Sequence, residues 1–325
     1  MRGRRGETPP SAAVRRRLTP PLAGEAKGAA LGRLFLTRAS SHFRFGVLYW
    51  TKPKKVGSSV VYAISFAVLS LAGAILLPLC CGFSLWWALL LFPVLEIVCH
   101  GLFIFDHWLG CRRGRDRSRP LEYQVPLARV GAHRAGLLVC AYGGTRPQIT
   151  GLEKLPDTPF LLVSNHRSLF DPLLILEQME RWNIAFVSKP SNMQIPLIGD
   201  IAYAAGFLAI NRENDREALK TILQAADYLK RGVCSIGIFP EGTRTRTGKL
   251  LDFHAGSFKI AQRANVPLVI ACVRDTEKAS RRLFLRPTRV YLDILEVLPP
   301  ERVKPMSTRE LADYSKAKML EILGE

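Results

Sequence analysis

The 325-residue chain reads as an α/β protein, a mostly parallel central sheet flanked by helices and preceded by an N-terminal hydrophobic two-helix membrane hairpin. Three observations carry that expectation. Residues 56–95 contain no charged side chain. From Leu121 onward, short apolar runs alternate with helix-like segments joined by short turns. The formal charge of +19 is unevenly placed: residues 1–55 hold 13 Lys and Arg against 2 Asp and Glu, a net +11.

Taken in order, residues 1–55 mix Arg clusters with Pro, Gly, Ala and Ser and keep neither a helical nor an alternating period, so a disordered basic tail is expected. No apolar core of a secretory signal stands at its start. An Arg-rich, acid-poor leader fits an organellar transit peptide; the hydrophobic stretch that follows favours a tail held against an anionic membrane. That stretch is long enough for two spans of about 20 residues each. Residues 56–77 form the first, the breakers from Pro78 to Ser84 reverse the chain, and residues 86–105 form the second. Glu96 and His100 stand one helical turn apart in the second span and are expected to share a hydrogen bond, which lowers the cost of placing them in lipid; lying at the interface is the alternative for that helix. Lys52, Lys54 and Lys55 flank one end, and Arg112, Arg113, Arg115 and Arg117 the other, which puts the rest of the chain on the cytoplasmic face, the inner membrane in a bacterium.

In the remainder, residues 160–164, 185–188, 207–210, 233–239, 266–273 and 290–297 are strand candidates. Helices are expected from Ser168, near Asn214, near Ala255 and from Ser307. The third-to-last of these places Leu219, Ile222, Leu223, Ala226 and Leu229 on one face, and Ser307-Thr308-Arg309-Glu310 is a capping-box pattern. The seven cysteines include no Cys-x-x-Cys pair and are read as reduced structural thiols; no metal site is expected.

The chemistry centres on Ser164-Asn165-His166-Arg167-Ser168-Leu169-Phe170-Asp171, placed between an apolar strand and a helix. A carboxylate five residues after a histidine can face it across the turn and fix its tautomer as a general base. A histidine bonded only to backbone fits this stretch equally well. Two further strand ends bear on the choice. One delivers Arg212 after Gly206-Phe207-Leu208-Ala209-Ile210-Asn211; the other delivers Pro240-Glu241-Gly242-Thr243-Arg244 after Phe239. Parallel strands would gather these at one edge, where open α/β sheets bind ligands. Arginine forks suit phosphate, Gly242 allows close backbone approach, and Thr243 offers a hydroxyl. Glu241 is read either as an Arg-paired carboxylate ordering its loop or as a substrate contact, and Lys189 either as a solvated cation or as a phosphate contact. His254 is read as a surface or groove residue; His42, His107 and His133 show no partner pattern.

Asn165-His166 with Asp171, then Gly206 to Arg212, then Phe239-Pro240-Glu241-Gly242-Thr243-Arg244, then Val266-Pro267 resemble the four ordered blocks of the glycerolipid acyltransferases, most nearly the 1-acylglycerol-3-phosphate (lysophosphatidate) acyltransferases. The resemblance covers residues 121–300 or so and implies a division into a basic tail (1–55), a membrane hairpin (56–110) and an acyltransferase catalytic domain (111–325). It implies that His166 is the base and Asp171 its orienting partner. Arg212, Glu241, Gly242, Thr243 and Arg244 would meet the phosphorylated acceptor, and Val266 and Pro267 would line the acyl side; Asn165 and Lys189 are further substrate-binding candidates. The partners implied are lysophosphatidate, an acyl-CoA or acyl carrier protein as co-substrate with no cofactor, and an anionic membrane. Where many relatives have Lys-x-Glu-Leu before Ile-Pro, this chain has Lys189-Pro190-Ser191-Asn192.

Three other readings compete with this one. Glycerol 3-phosphate or another lysolipid could be the acceptor. A membrane-tethered nucleic-acid-binding protein would account for the charge, but the strongest basic cluster lies in the Pro-containing tail rather than among exposed aromatics, and no nucleic acid is expected. A phospholipid hydrolase is the third; no Gly-x-Ser-x-Gly elbow is present for a Ser-acyl intermediate.

Overall fold

The computed structural model describes residues 58–112, 121, 124–245, 247–282 and 287–324. The expectation of a disordered tail over 1–55 lies outside those residues. The first two elements are the helices α1 (Ser58–Cys81) and α2 (Trp87–Arg112), of 24 and 26 residues. At about 1.5 Å per residue either is longer than the roughly 30 Å of a bilayer's hydrocarbon core. Their apolar side chains point outward: Leu69 is 65 % exposed, Leu89 69 % and Ile97 73 %. A water-soluble core would bury such residues, so this surface suits lipid, and both helices are long and apolar enough to cross a membrane.

The reversal between them differs from the expected one. Pro78 does not end α1, which runs to Cys81. Gly82 ends it at φ +73, and the Phe83 amide closes back onto the Pro78 carbonyl at 2.8 Å, the left-handed stop that glycine makes without steric cost. The second helix also runs past residue 105 to Arg112. Glu96 and His100 do lie one turn apart, but their side chains do not bond each other. The His100 ring takes the Glu96 backbone carbonyl at 2.7 Å, and Tyr142 bonds both side chains, donating to Glu96 Oε1 at 2.5 Å and lying 3.2 Å from His100 Nε2.

Tyr142 ends α3 (Pro126–Tyr142), which opens with Pro at its first turn and leads through Gly144 into strand β1 (Thr145–Thr150). There follow β2 (Leu161–Ser164), α4 (Phe170–Gln178), β3 (Ile184–Ser188), α5 (Pro190–Met193), α6 (Ile198–Ala204) and β4 (Leu208–Ala209). The rest comprises α7 (Asp215–Lys230), β5 (Ser235–Ile238), α8 (Lys259–Ala264), β6 (Leu268–Arg274), α9 (Thr276–Arg282), β7 (Thr288–Leu298), α10 (Pro300–Val303) and α11 (Thr308–Leu323). The expected caps are in place: the Asn214 side chain accepts from the Arg216 and Glu217 amides, and Ser307 and Glu310 close a reciprocal box.

The seven strands form one sheet in the order β1-β7-β6-β2-β5-β3-β4, parallel at every pairing except β6 with β7. In the centre, Leu161 of β2 pairs with Ile236 of β5 and with Leu268 of β6. All four residues of β2 and of β5 are buried, which is why these strands read as unbroken apolar runs. Side chains alternate between two cores. Leu161, Val163, Ile236, Ile238, Leu268 and Ile270 face α7, α8 and α11, whereas Leu162, Phe186, Val269 and Ala271 face α3, α4 and α9. Each fully buried aliphatic contributes about 1.5–3 kcal/mol relative to exposure. The strand β1 was not expected: Thr-Arg-Pro-Gln-Ile-Thr is polar and carries a proline, which only an edge strand tolerates. A third, smaller core joins the hairpin to this body through Cys111, Ala128, Ile201 and Ala204, capped by a Trp108 Nε1 bond to Asp200 at 2.7 Å.

Candidate active site

Four parallel strands, β2, β3, β5 and β6, end at the same edge of the sheet, and the turns that leave them build the site. After β2, Asn165 is buried to 1 % and turned back into the sheet: its Nδ2 donates to the Val273 carbonyl at 2.9 Å and its Oδ1 accepts from the Val273 amide at 2.8 Å. The side chain thus locks the turn to the end of β6. This corrects the expectation that Asn165 meets the substrate.

With that turn held, His166 Nδ1 stands 2.8 Å from Asp171 Oδ2. Asp171 has no exposed surface. Its Oδ2 also accepts from the Arg167 and Ser168 amides at 2.6 and 2.7 Å, and its Oδ1 from the hydroxyl of Thr276. A carboxylate with these donors is an acceptor toward the ring, so Nδ1 carries the proton and Nε2 holds the free lone pair. The side chain of His166 keeps 19 % of its surface exposed, enough for a hydroxyl to reach it. The ring lies flat on Phe239, centroids 4.2 Å apart and planes 14° apart, and Phe239 lies on Phe186 at 5.2 Å and 4°. Gly237 makes that column possible: a Cβ there would stand 2.5 Å from the Phe186 ring. The imidazole is thereby fixed by a bond at one nitrogen and a stack on one face.

After β5, Glu241 is only 4 % exposed. Its Oε1 accepts the His166 amide at 2.6 Å and its Oε2 the Leu251 amide at 3.0 Å. Among the described residues it pairs with no arginine, and each oxygen accepts a backbone amide, so Glu241 orders these turns through backbone rather than through an arginine. Burial raises its carboxyl above the usual range, against the pull of those two N–H bonds. Two more bonds close the seam, from the Thr245 amide to the His166 carbonyl at 3.0 Å and from Arg167 Nη2 to the Gly248 carbonyl at 2.8 Å. Arg167 also faces Glu277 of α9 at 3.5 Å. The next residues point outward: Thr243 and Arg244 are exposed beside the seam. Gly242 takes φ +77, and Arg212, arriving after β4, donates from Nη1 to its carbonyl. Lys189 is exposed at the end of β3, just before α5. His133 does have partners, the Leu176 carbonyl at 2.9 Å and Glu180 at 3.0 Å, and lies away from this edge on α3.

Val266 and Pro267 do not join the site. They precede β6, and the Pro267 carbonyl accepts the Leu161 amide at 3.0 Å, at the beginning of β2. At about 3.3 Å per residue the His166 turn is roughly 16 Å further along the sheet, and Val266 is only 9 % exposed. Their expected place on the acyl side is corrected to the opposite edge, where they start a core strand. The residue that sequence reasoning missed is Thr276, buried at 0 % and 105 residues from the Asp171 it bonds. An ordinary threonine after a strand gives no local signal of that role.

The edge of the sheet thus carries an oriented, partly exposed imidazole, with Arg212 and Arg244 exposed on neighbouring turns. The acyltransferase family profile matches residues 146–274, which includes the turns that carry His166, Asp171, Arg212 and Glu241. The 1-acyl-sn-glycerol-3-phosphate acyltransferase of Salmonella typhimurium is 33% identical over 168 residues, covering 51% of this chain and 67% of that protein. One from Chlamydomonas reinhardtii is 35% identical over 159 residues, 47% of either chain, and the mouse alpha form is 29% identical over 186 residues, 56% of this chain and 65% of its own. This chain thus spans about half the length of the algal relative and about two thirds of the bacterial and mouse ones. Among solved structures, the 1-acyl-sn-glycerophosphate acyltransferase of Thermotoga maritima shares the fold at a TM-score of 0.52 and 22% identity, over 82% of this chain and 95% of that one. The chain belongs to the acyltransferase family of the 1-acyl-sn-glycerol-3-phosphate acyltransferases.

Proposed function

We propose that the protein transfers a fatty acyl group from acyl-CoA or acyl carrier protein to the sn-2 hydroxyl of lysophosphatidate, forming phosphatidate for phospholipid synthesis. The observation that carries this reading is the His166 Nδ1 to Asp171 Oδ2 contact of 2.8 Å, with the ring partly exposed and Arg212 and Arg244 exposed on turns at the same edge of the sheet. In this mechanism Nε2 takes the proton of the acceptor hydroxyl as its oxygen attacks the thioester carbonyl. Asp171 stabilises the imidazolium that forms. The tetrahedral adduct then collapses, the C–S bond breaks, and the leaving thiolate takes the proton back from Nε2. Such base catalysis contributes about 10²–10⁴-fold, and fixing both substrates against the ring adds more.

Arg212, Thr243 and Arg244 are assigned to the acceptor's phosphate, with Lys189 at the rim of the same edge. The apolar hairpin would hold the site at the bilayer surface on the cytoplasmic face, and the basic residues among 1–55 would add attraction to anionic lipid. The tail, hairpin and catalytic domain so divided correspond to 1–55, 56–110 and 111–325. Membranes carrying the full chain test the reading in a matrix of donors (acyl-CoA, acyl carrier protein) and acceptors (lysophosphatidate, glycerol 3-phosphate, lysophosphatidylcholine). Phosphatidate formed only when lysophosphatidate and a donor are both present is the expected result. Acylation confined to another acceptor, or fatty acid released without one, would contradict it.

A further inference from the structure

Gly242 marks a point where three separate segments meet. A Cβ on Gly242 would collide with the Arg212 guanidinium and stand 3.0 Å from His254 Nε2. Arg212 arrives from the turn after β4, Gly242 from the turn after β5, and His254 from the segment just before α8. Within the breadth of one missing methyl group, a guanidinium and an imidazole nitrogen therefore face the same point. Both side chains belong to exposed residues. His254 is also held in place: its amide donates to the Pro240 carbonyl at 2.9 Å, and its own carbonyl accepts the Ser257 amide at 3.0 Å. This meeting point adjoins Glu241, whose carboxylate holds the His166 amide, so it stands one residue from the seam with the His166 turn.

We infer that His254 is a binding residue for the acceptor's phosphate, its Nε2–H forming the second wall of a subsite whose first wall is Arg212. A phosphate monoester presents three terminal oxygens and at neutral pH close to two charges. Arg212 spends Nη1 on the Gly242 carbonyl, which fixes the plane of the guanidinium and leaves its other donors for the ligand. A second donor from another direction is what a tetrahedral group needs in order to be held by more than one edge. The absence of a side chain at Gly242 lets the Arg212 guanidinium lie against this turn beside the His254 ring, so that one tetrahedral group in front of the pair can be reached by both. This inference rests on the acceptor reading above and adds a residue to it that the four resemblance blocks leave out.

The test uses the full-length protein in lipid nanodiscs and reads kinetics and binding together. For His254→Ala, the KM for lysophosphatidate is expected to rise about tenfold, the loss of one hydrogen bond to a charged group, with kcat and the donor KM within about twofold of wild type. His254→Lys, which restores a donor, should recover most of that loss. In parallel, sn-glycerol 3-phosphate is titrated into protein carrying ¹⁵N-labelled histidine side chains, with the His254 resonance identified by its loss in His254→Ala. That resonance should shift in wild type and in His166→Ala, and glycerol at the same concentrations should leave it in place. An unchanged KM, or no shift with the phosphate ester, overturns the assignment of His254. If lysophosphatidate is not acylated but the ester still shifts His254, the phosphate subsite stands and the acceptor reading falls.

Discussion

The turn after β2 and the turn after β5 leave adjacent parallel strands at the same edge, and each buries a carboxylate, yet the two acids do different work. Asp171 collects two backbone amides, the hydroxyls of Thr276 and Ser168, and an imidazole nitrogen. Among the described residues, Glu241 collects two backbone amides and no side-chain donor. The distinction is which donor completes the set. A ring nitrogen makes Asp171 an influence on chemistry, because it sets where the ring's proton sits. A second amide makes Glu241 a strut between loops. Burial and a place beside the histidine are therefore not enough to assign an acid a role; the donors must be counted.

The largest expected effect separates the two acids directly. Asp171→Asn replaces one acceptor oxygen by an NH₂ among donors and misorients the ring, so kcat should fall about 10²–10⁴-fold, measured as phosphatidate formed at saturating donor and acceptor. A loss no greater than that of Glu241→Gln would erase the distinction. Next, Arg244→Ala acts on the part of the β5 turn that faces outward. It should raise the KM for lysophosphatidate about tenfold with little change in kcat, the mark of binding lost equally from ground and transition states. Thr276→Val then removes a single hydroxyl from Asp171. It should lower kcat about tenfold, roughly what one hydrogen bond to a charged group supplies, and Thr276→Ser should restore it.

The smallest effect concerns the strut alone. Burial raises the folded-state pKa of Glu241 above its ordinary value of 4.5. A group shifted upward stabilises the fold fully below its unfolded value, and that contribution is lost as pH rises through the folded one. The difference in Tm between wild type and Glu241→Gln should therefore be widest in acid, below the usual carboxylate range, and shrink as pH increases. A difference that grows with pH would mean that the N–H bonds outweigh the burial of the charge.

Much of the fold was legible because the signals were local. The runs 160–164 and 233–239 are buried on both faces and read as strands; the caps at Asn214 and Ser307 act within three residues of themselves. The strand β1 escaped because its pairing with β7 is settled by residues some 140 positions away, and its own residues are polar. In the site, His166 and Asp171 could be paired because five residues span one turn. Asn165 and Glu241 were misassigned for the opposite reason: their partners, Val273 and Leu251 among them, are backbone groups that no spacing rule reveals. Strand direction alone could have placed Val266 and Pro267, since residues that precede a parallel strand lie at the edge away from those that follow one.

The central claim is that the proton of the acceptor hydroxyl passes to His166. Its most direct test is the initial rate of acyl transfer to lysophosphatidate by purified full-length His166→Ala beside wild type, with thermal melts of both. The account expects the rate to fall by at least about 10²-fold while the Tm stays near that of wild type, since the lost ring is partly exposed. A folded His166→Ala protein working at a near wild-type rate would contradict it.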